Sequence, residues 1–150
     1  HIVNTSSIAA FIPGAGPYGV SKSGVVMLSE TLALDLKRAQ AKISASVICP
    51  GWTNTKISDS ERNRPKELTS SSNPDRLGLG MNSILEAGKS PERLAEQVFE
   101  SIENDRFYIF PHQGWDYLLT EHTEAMLRRK GPHIFDSAAH LAKRSEGKDV

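Results

Sequence analysis

Two short β-rich runs flank one long helical pattern, and this alternation constrains the fold more than any other feature of the chain. Residues 2–8 and 42–49 are short, mostly apolar or β-branched, and bounded by turn formers, Pro50-Gly51 closing the second. Between them, Val25, Leu28, Leu32 and Leu36 recur at steps of three or four. That spacing predicts a helix from Tyr18 to about Arg38 with one apolar stripe. Lys37 and Arg38 lie at its end, where the helix dipole favours positive charge. Further on, Ser90-Pro91-Glu92 reads as a helix start, with a capping serine, a proline in the first turn and an early acid. This helix is expected to run to about Asn104, with Leu94, Val98, Phe99 and Ile102 facing inward. Residues 107–110 predict a strand ended by Pro111, and residues 114–130 another helix. Strands alternating with helices imply an α/β fold with a parallel sheet and right-handed crossovers.

The connections are less regular. Residues 9–17 form a loop punctuated by Pro13, Gly14, Gly16 and Pro17. Residues 52–89 are weakly patterned, with Thr69 to Pro74 the most loop-like stretch, and a segment of this kind is expected to be a substrate lid. Its apolar residues Trp52, Ile57, Leu77, Leu79, Met81 and Ile84 suit a pocket wall or a core equally well. Residues 143–150 read as a polar tail.

Composition excludes several classes. Lysine plus arginine equals aspartate plus glutamate, 18 against 18, so no net field draws the chain to nucleic acid or an anionic membrane. No apolar run approaches the roughly 20 residues of a membrane helix. Cys49 is the sole cysteine, which rules out an intrachain disulfide and suits a reducing, cytoplasmic setting. The first residue is His1, and a strand pattern follows at once. A natural chain rarely begins inside a strand, so the expectation is the C-terminal part of a longer protein, a truncated product or an incomplete sequence.

The chemistry centres on Tyr18-Gly19-Val20-Ser21-Lys22. Residues four apart share a helix face. A phenol is a poor base near neutrality, because its reference pKa is about 10, and a neighbouring ammonium favours the phenolate. Upstream stands Asn4-Thr5-Ser6-Ser7 at a strand end; downstream, Pro50-Gly51-Trp52-Thr53-Asn54-Thr55 follows the next strand. This set, in this order, resembles the short-chain dehydrogenase/reductase family. Family members carry Asn-x-Ser-Ser at the end of the fifth strand, Tyr-x-x-x-Lys opening the next helix, and Pro-Gly-x-x-x-Thr after the sixth strand. The resemblance runs from His1 to about Thr55 and more loosely to about Pro111.

It implies the C-terminal part of a Rossmann-like doubly wound parallel sheet. Residues 1–55 would be the catalytic core, residues 52–89 the lid, and residues 90–135 the C-terminal helices and last strand. It also implies site roles. Ser7, or its neighbour Ser6, would hydrogen-bond the substrate oxygen, beside Trp52. Tyr18 would be the general acid/base, and Lys22 would hold the nicotinamide ribose. Pro50 and Gly51 would shape the backbone near the nicotinamide; Thr55, or less directly Thr53, would contact the carboxamide or phosphate. The implied cofactor is NAD or NADP, the substrate a small alcohol or carbonyl compound, and the full-length assembly a homo-oligomer. In the family, the glycine-rich turn, the residue selecting between the two cofactors and a helix with a catalytic asparagine lie upstream of the matched part. The alternative expectation is therefore a non-catalytic remnant, acting only in binding or oligomerisation.

Other motifs carry less. Gly14-Ala15-Gly16-Pro17-Tyr18-Gly19 matches Gly-x-Gly-x-x-Gly, but Ala9 to Pro13 separate it from the strand and no acid ends the next strand, as a dinucleotide fingerprint requires. Asn4-Thr5-Ser6 is a glycosylation triplet inside a predicted strand and is read as chance. The five histidines have no metal-ligand spacing, and there is no Gly-x-Ser-x-Gly elbow.

Overall fold

The computed structural model describes residues 1–68 and 81–132. The loop-like stretch 69–74, Leu77, Leu79 and the tail 143–150 lie outside the described residues. Elements run β1 (Ile2–Thr5), α1 (Gly16–Arg38), β2 (Ala45–Ile48), α2 (Met81–Glu86), α3 (Pro91–Glu103), β3 (Tyr108–Ile109) and α4 (Asp116–Leu127). Single tight helical turns occupy Ile8–Ala10, Lys66–Leu68 and Gln113–Trp115, and Lys56–Asn63 holds two short tight helices joined by a kink at Asp59.

The chain divides into two compact units, residues 1–51 with 96–150, and residues 52–95. In the first, the strands form a parallel sheet in the order β1-β2-β3. Ile2 pairs with Ala45 and Thr5 with Ile48; Ile48 also pairs with Ile109. The central strand β2 is buried along its whole length, as its continuous apolar run requires. Val26 on α1 packs with Val47 and Cys49, and Phe11, Phe107 and Phe110 close round them. Phe11 meets Phe110 edge-on with centroids 5.8 Å apart. Two polar ties fix α1 against the sheet: the Asn4 amide donates to the Ser29 hydroxyl at 3.0 Å, and the Tyr108 hydroxyl donates to the Glu30 carboxylate. The second tie, helped by partial burial and the carboxylate charge, pushes the Tyr108 phenol up to about 12.

The parallel α/β architecture is as expected, but several boundaries differ. β1 ends at Thr5 rather than at residue 8, because Ser7 caps the Ile8–Ala10 turn through its Oγ, which accepts from the Ala9 amide at 3.2 Å. β2 starts at Ala45 rather than at residue 42, and Ile43 is exposed. Helix α1 starts two residues before Tyr18; of the expected stripe Val25, Leu32 and Leu36 are half-buried, with Val25 packed on the core, and Leu28 alone departs from it. Val26 and Ser29 are buried while Leu28 is 64% exposed. The cause is that α1 carries apolar residues all round, Val20, Met27 and Leu34 among the exposed ones, so spacing alone cannot single out a face. On α3, Leu94 and Ser101 are buried, but Phe99 is 67% exposed. Phe99 follows Leu94 by five residues, half a turn too far for the same face. The expected helix over residues 114–130 is a tight turn followed by α4.

Within the second unit, Thr53 bridges to Lys89 and the Asn54 amide donates to the Lys89 carbonyl at 2.9 Å. Leu85 and Leu94 are buried there, while Ile57 is 49% exposed, which favours neither the wall nor the core reading for that residue. The Ser90 hydroxyl accepts from the Arg93 amide at 3.3 Å, giving the helix start that the sequence predicts.

Cys49 is 1% exposed, and burial pushes its thiol up to about 11, against the opposing hydrogen bond with Ser6. A buried neutral thiol is a poor nucleophile. Ellman's reagent at neutral pH is therefore expected to leave the folded protein's thiol unmodified and to titrate it once the chain is unfolded in guanidinium. Rapid reaction of the folded protein would contradict this burial.

Candidate active site

The carboxyl ends of parallel strands are where open α/β sheets bind ligands, and the expected catalytic residues gather at the end of β1. The chain turns there at Ser6 and Ser7, and the two serines do different things. Ser6 is buried, and its hydroxyl donates to the Lys22 carbonyl at 2.7 Å, pinning α1 to the strand end. Ser7 is half-buried; its hydroxyl caps the following turn and reaches the Pro50 carbonyl at 3.4 Å. The same carbonyl accepts the Ile8 amide at 2.9 Å.

Lys22 rises from the first turns of α1 towards this strand end. Its ammonium donates to the Thr5 carbonyl at 3.1 Å and lies 5.7 Å from the centre of the Tyr18 ring, within cation–π range. Tyr18 itself is 46% exposed. The i, i+4 spacing thus places ammonium and phenol side by side, with the lysine anchored to β1.

The loop before α1 explains the glycine motif. Gly14 and Gly16 take φ values of 99° and 59°, so they make the left-handed turn into the helix. Gly19 packs so closely on the loop that an added Cβ would lie 3.0 Å from the Ala9 carbonyl oxygen. Beside this loop opens a cleft of about 420 Å³, lined by Phe11, Ile12, Pro13, Val20 and His122 among others.

After β2, Pro50 and Gly51 turn the chain. The Gly51 amide donates to Nδ1 of His112 at 3.1 Å, and His112 and Trp115 are almost completely buried. Neither residue stands out in the sequence, since each lies some sixty residues from Gly51 with no local spacing to mark it. In the second unit, Trp52 and Thr53 are half-buried and Thr55 is exposed. Among the described residues no cluster of three metal-binding side chains occurs, and no helix is long and apolar enough to cross a membrane.

Known proteins resemble this chain in sequence and fold. The family model for short chain dehydrogenases matches residues 1–66, the stretch holding Ser7, Tyr18, Lys22 and Gly51. A crystal structure of a short-chain dehydrogenase/reductase from Burkholderia phymatum in complex with NAD superposes with a TM-score of 0.81 at 33% identity, over 91% of this chain and 51% of that one. The chain belongs to the short-chain dehydrogenase/reductase family. Also similar is a CLA biosynthesis dehydrogenase/reductase of Lactiplantibacillus plantarum, 30% identical over 90% of this chain and 51% of that protein. A C alpha-dehydrogenase of Sphingobium sp. is 30% identical over 98% of this chain and 46% of that protein. The chain thus spans about half the length of these short-chain dehydrogenase/reductase relatives.

Proposed function

We propose that this chain carries the proton-transfer end of an NAD- or NADP-dependent oxidoreductase that interconverts an alcohol and a carbonyl. The observation that carries the reading is the Lys22 ammonium, which joins the end of β1 to the Tyr18 ring. In the reductive direction, the Tyr18 hydroxyl gives its proton to the substrate oxygen; in the oxidative direction it takes that proton back. Lys22 offsets the negative charge that builds on the phenol oxygen. Ser7, whose hydroxyl proton rests on the Pro50 carbonyl at 3.4 Å, turns that proton to the same substrate oxygen when substrate binds, and so orients it.

The donor set fits a nicotinamide cofactor. An ammonium offers several N–H groups, and Thr5 accepts from Lys22 through its carbonyl, so donors remain for ribose hydroxyls. When bound, the cofactor would supply or accept the hydride. By the motif match, Pro50 and Gly51 are proposed to line the nicotinamide, Thr53 or Thr55 to hold its carboxamide or phosphate, and Trp52 to touch substrate. The NAD in the Burkholderia structure and the dehydrogenase names of the relatives support the cofactor class and the reaction type. A cytoplasmic setting and a homo-oligomeric full-length protein belong to the same proposal, as does a lid role for residues 52–89.

The second reading, a remnant without catalysis, rests on the chain spanning about half of its relatives. Label transfer from a deuterated alcohol to the oxidised cofactor, followed with the 150-residue chain itself, separates the two: transfer excludes the remnant, and its absence in this chain favours it.

A further inference from the structure

The ends of the three strands are stitched together by their turns, and the stitch that the motif does not explain is His112. β1 is followed by Ser6 and Ser7, β2 by Cys49 and Pro50-Gly51, and β3, after Phe110, by Pro111 and His112. Ser7 Oγ and the Ile8 amide both meet the Pro50 carbonyl, at 3.4 and 2.9 Å. On the other side of the same peptide, the Gly51 amide donates to His112 Nδ1 at 3.1 Å. His112 is 3% exposed, and its carbonyl accepts the Trp115 amide at 3.1 Å, so its backbone is held by the tight turn that follows. An imidazole nitrogen that accepts from an amide must carry its lone pair there, which places the proton of the neutral ring on Nε2.

We infer that His112 is a positioning residue: through Nδ1 it fixes the Gly51 peptide, and so the Pro50 carbonyl that anchors the Ser7–Ile8 backbone through the Ile8 amide and thereby places Ser7 beside the substrate oxygen. The inference rests on the oxidoreductase reading above for its catalytic consequence, but not for the bond itself. Pro50 and Gly51 share the turn, and a Gly51 peptide free to rotate would swing the plane on which the Pro50 carbonyl lies. The Ile8 amide would then lose its acceptor, and the Ser7–Ile8 backbone its anchor. His112 acts at a distance and touches no reacting atom.

The test compares His112→Leu with His112→Asn in the full-length protein. Leucine fills much of the ring's volume and offers no acceptor; the asparagine Oδ1 stands close to where Nδ1 stood. Two readouts are taken below the unfolding temperature of each variant. The first is hydrogen exchange of the Gly51 amide. The second is kcat and KM with NAD(H) or NADP(H) and the alcohol–ketone pair that the wild-type protein turns over. In His112→Leu, Gly51 exchange is expected to quicken about tenfold and kcat to fall about tenfold, the scale of one neutral hydrogen bond, with cofactor affinity nearly kept. His112→Asn is expected to restore both to within about threefold of wild type. Unchanged Gly51 exchange in His112→Leu, or equal losses in both variants, would overturn the inference whether or not the protein is an oxidoreductase. If Gly51 exchange responds as expected but the wild type turns over nothing, the oxidoreductase reading and the catalytic half of the inference fail, and the bond alone stands.

Discussion

Replacing Tyr18 by phenylalanine is expected to lower turnover of the full-length protein by roughly 10²- to 10⁴-fold, the usual contribution of a positioned general acid or base. The substitution removes one oxygen and keeps the ring that Lys22 approaches. Tyr18 is 46% exposed and outside the buried core, so the fold is expected to survive and the unfolding temperature to stay within a degree or two of wild type. Cofactor affinity is expected to change little, because the ammonium remains tied to the Thr5 carbonyl. Steady-state rates with each cofactor, set beside a thermal melt, check the point. A variant that keeps full turnover would remove Tyr18 from the mechanism.

Gly51→Ala is expected to destabilise the protein by about 1–3 kcal/mol through overpacking. An added Cβ would lie 2.9 Å from Trp115 Nε1, 3.1 Å from its Cε2 and 3.3 Å from His112 Cγ. The indole is 2% exposed and His112 is 3% exposed, so neither ring has open space to enter. The requirement is one of space, unlike that at Gly14 and Gly16, where positive φ makes the demand. Urea denaturation measures the loss. Trp115→Leu should recover part of it in the double variant, since the two substitutions share one contact and should not be additive. An unchanged midpoint in Gly51→Ala would mean that the Trp115 ring moves aside at little cost.

The pattern of what could be read in advance follows sequence separation. That Lys22 lies beside the Tyr18 ring could be read from helix spacing; the roles expected of the pair came from the resemblance carried by Asn4-Thr5-Ser6-Ser7 and Pro50-Gly51. Ser7 was legible as the second serine of a strand-end pair, and the structure divides the pair's tasks, Ser6 to the Lys22 carbonyl and Ser7 to the Pro50 carbonyl. Parallel pairing followed from the alternation of strand and helix. The buried face of α1 followed only in part: Val25, Leu32 and Leu36 are half-buried, but Leu28 is exposed and Val26 buried, because the two are similarly apolar and the neighbouring elements, not the spacing, decide between them. His112 was illegible for a plainer reason. Its hydrogen bond spans 61 residues, and a lone histidine after a proline carries no pattern that points to Gly51.

The role of Gly51 is also altered by the structure. The motif assigns it to the neighbourhood of the nicotinamide, whereas its immediate neighbours are His112 and Trp115 on the protein side. The two are compatible: a turn held from behind presents a fixed backbone in front. Ser7, Pro50, Gly51 and His112 then form one connected rim across all three strand ends, and Tyr18 and Lys22 complete it from α1.

Direct transfer of deuterium tests the central claim most plainly. The full-length protein is incubated with NAD or NADP and a panel of secondary alcohols deuterated at the carbinol carbon, and the reduced cofactor is analysed by mass spectrometry. Hydride transfer predicts that the reduced nicotinamide carries the deuterium from at least one alcohol, with the matching ketone formed in equal amount and the yield lost in Tyr18→Phe. Cofactor reduced without the label, or no reduction with any alcohol and either cofactor, would contradict the account.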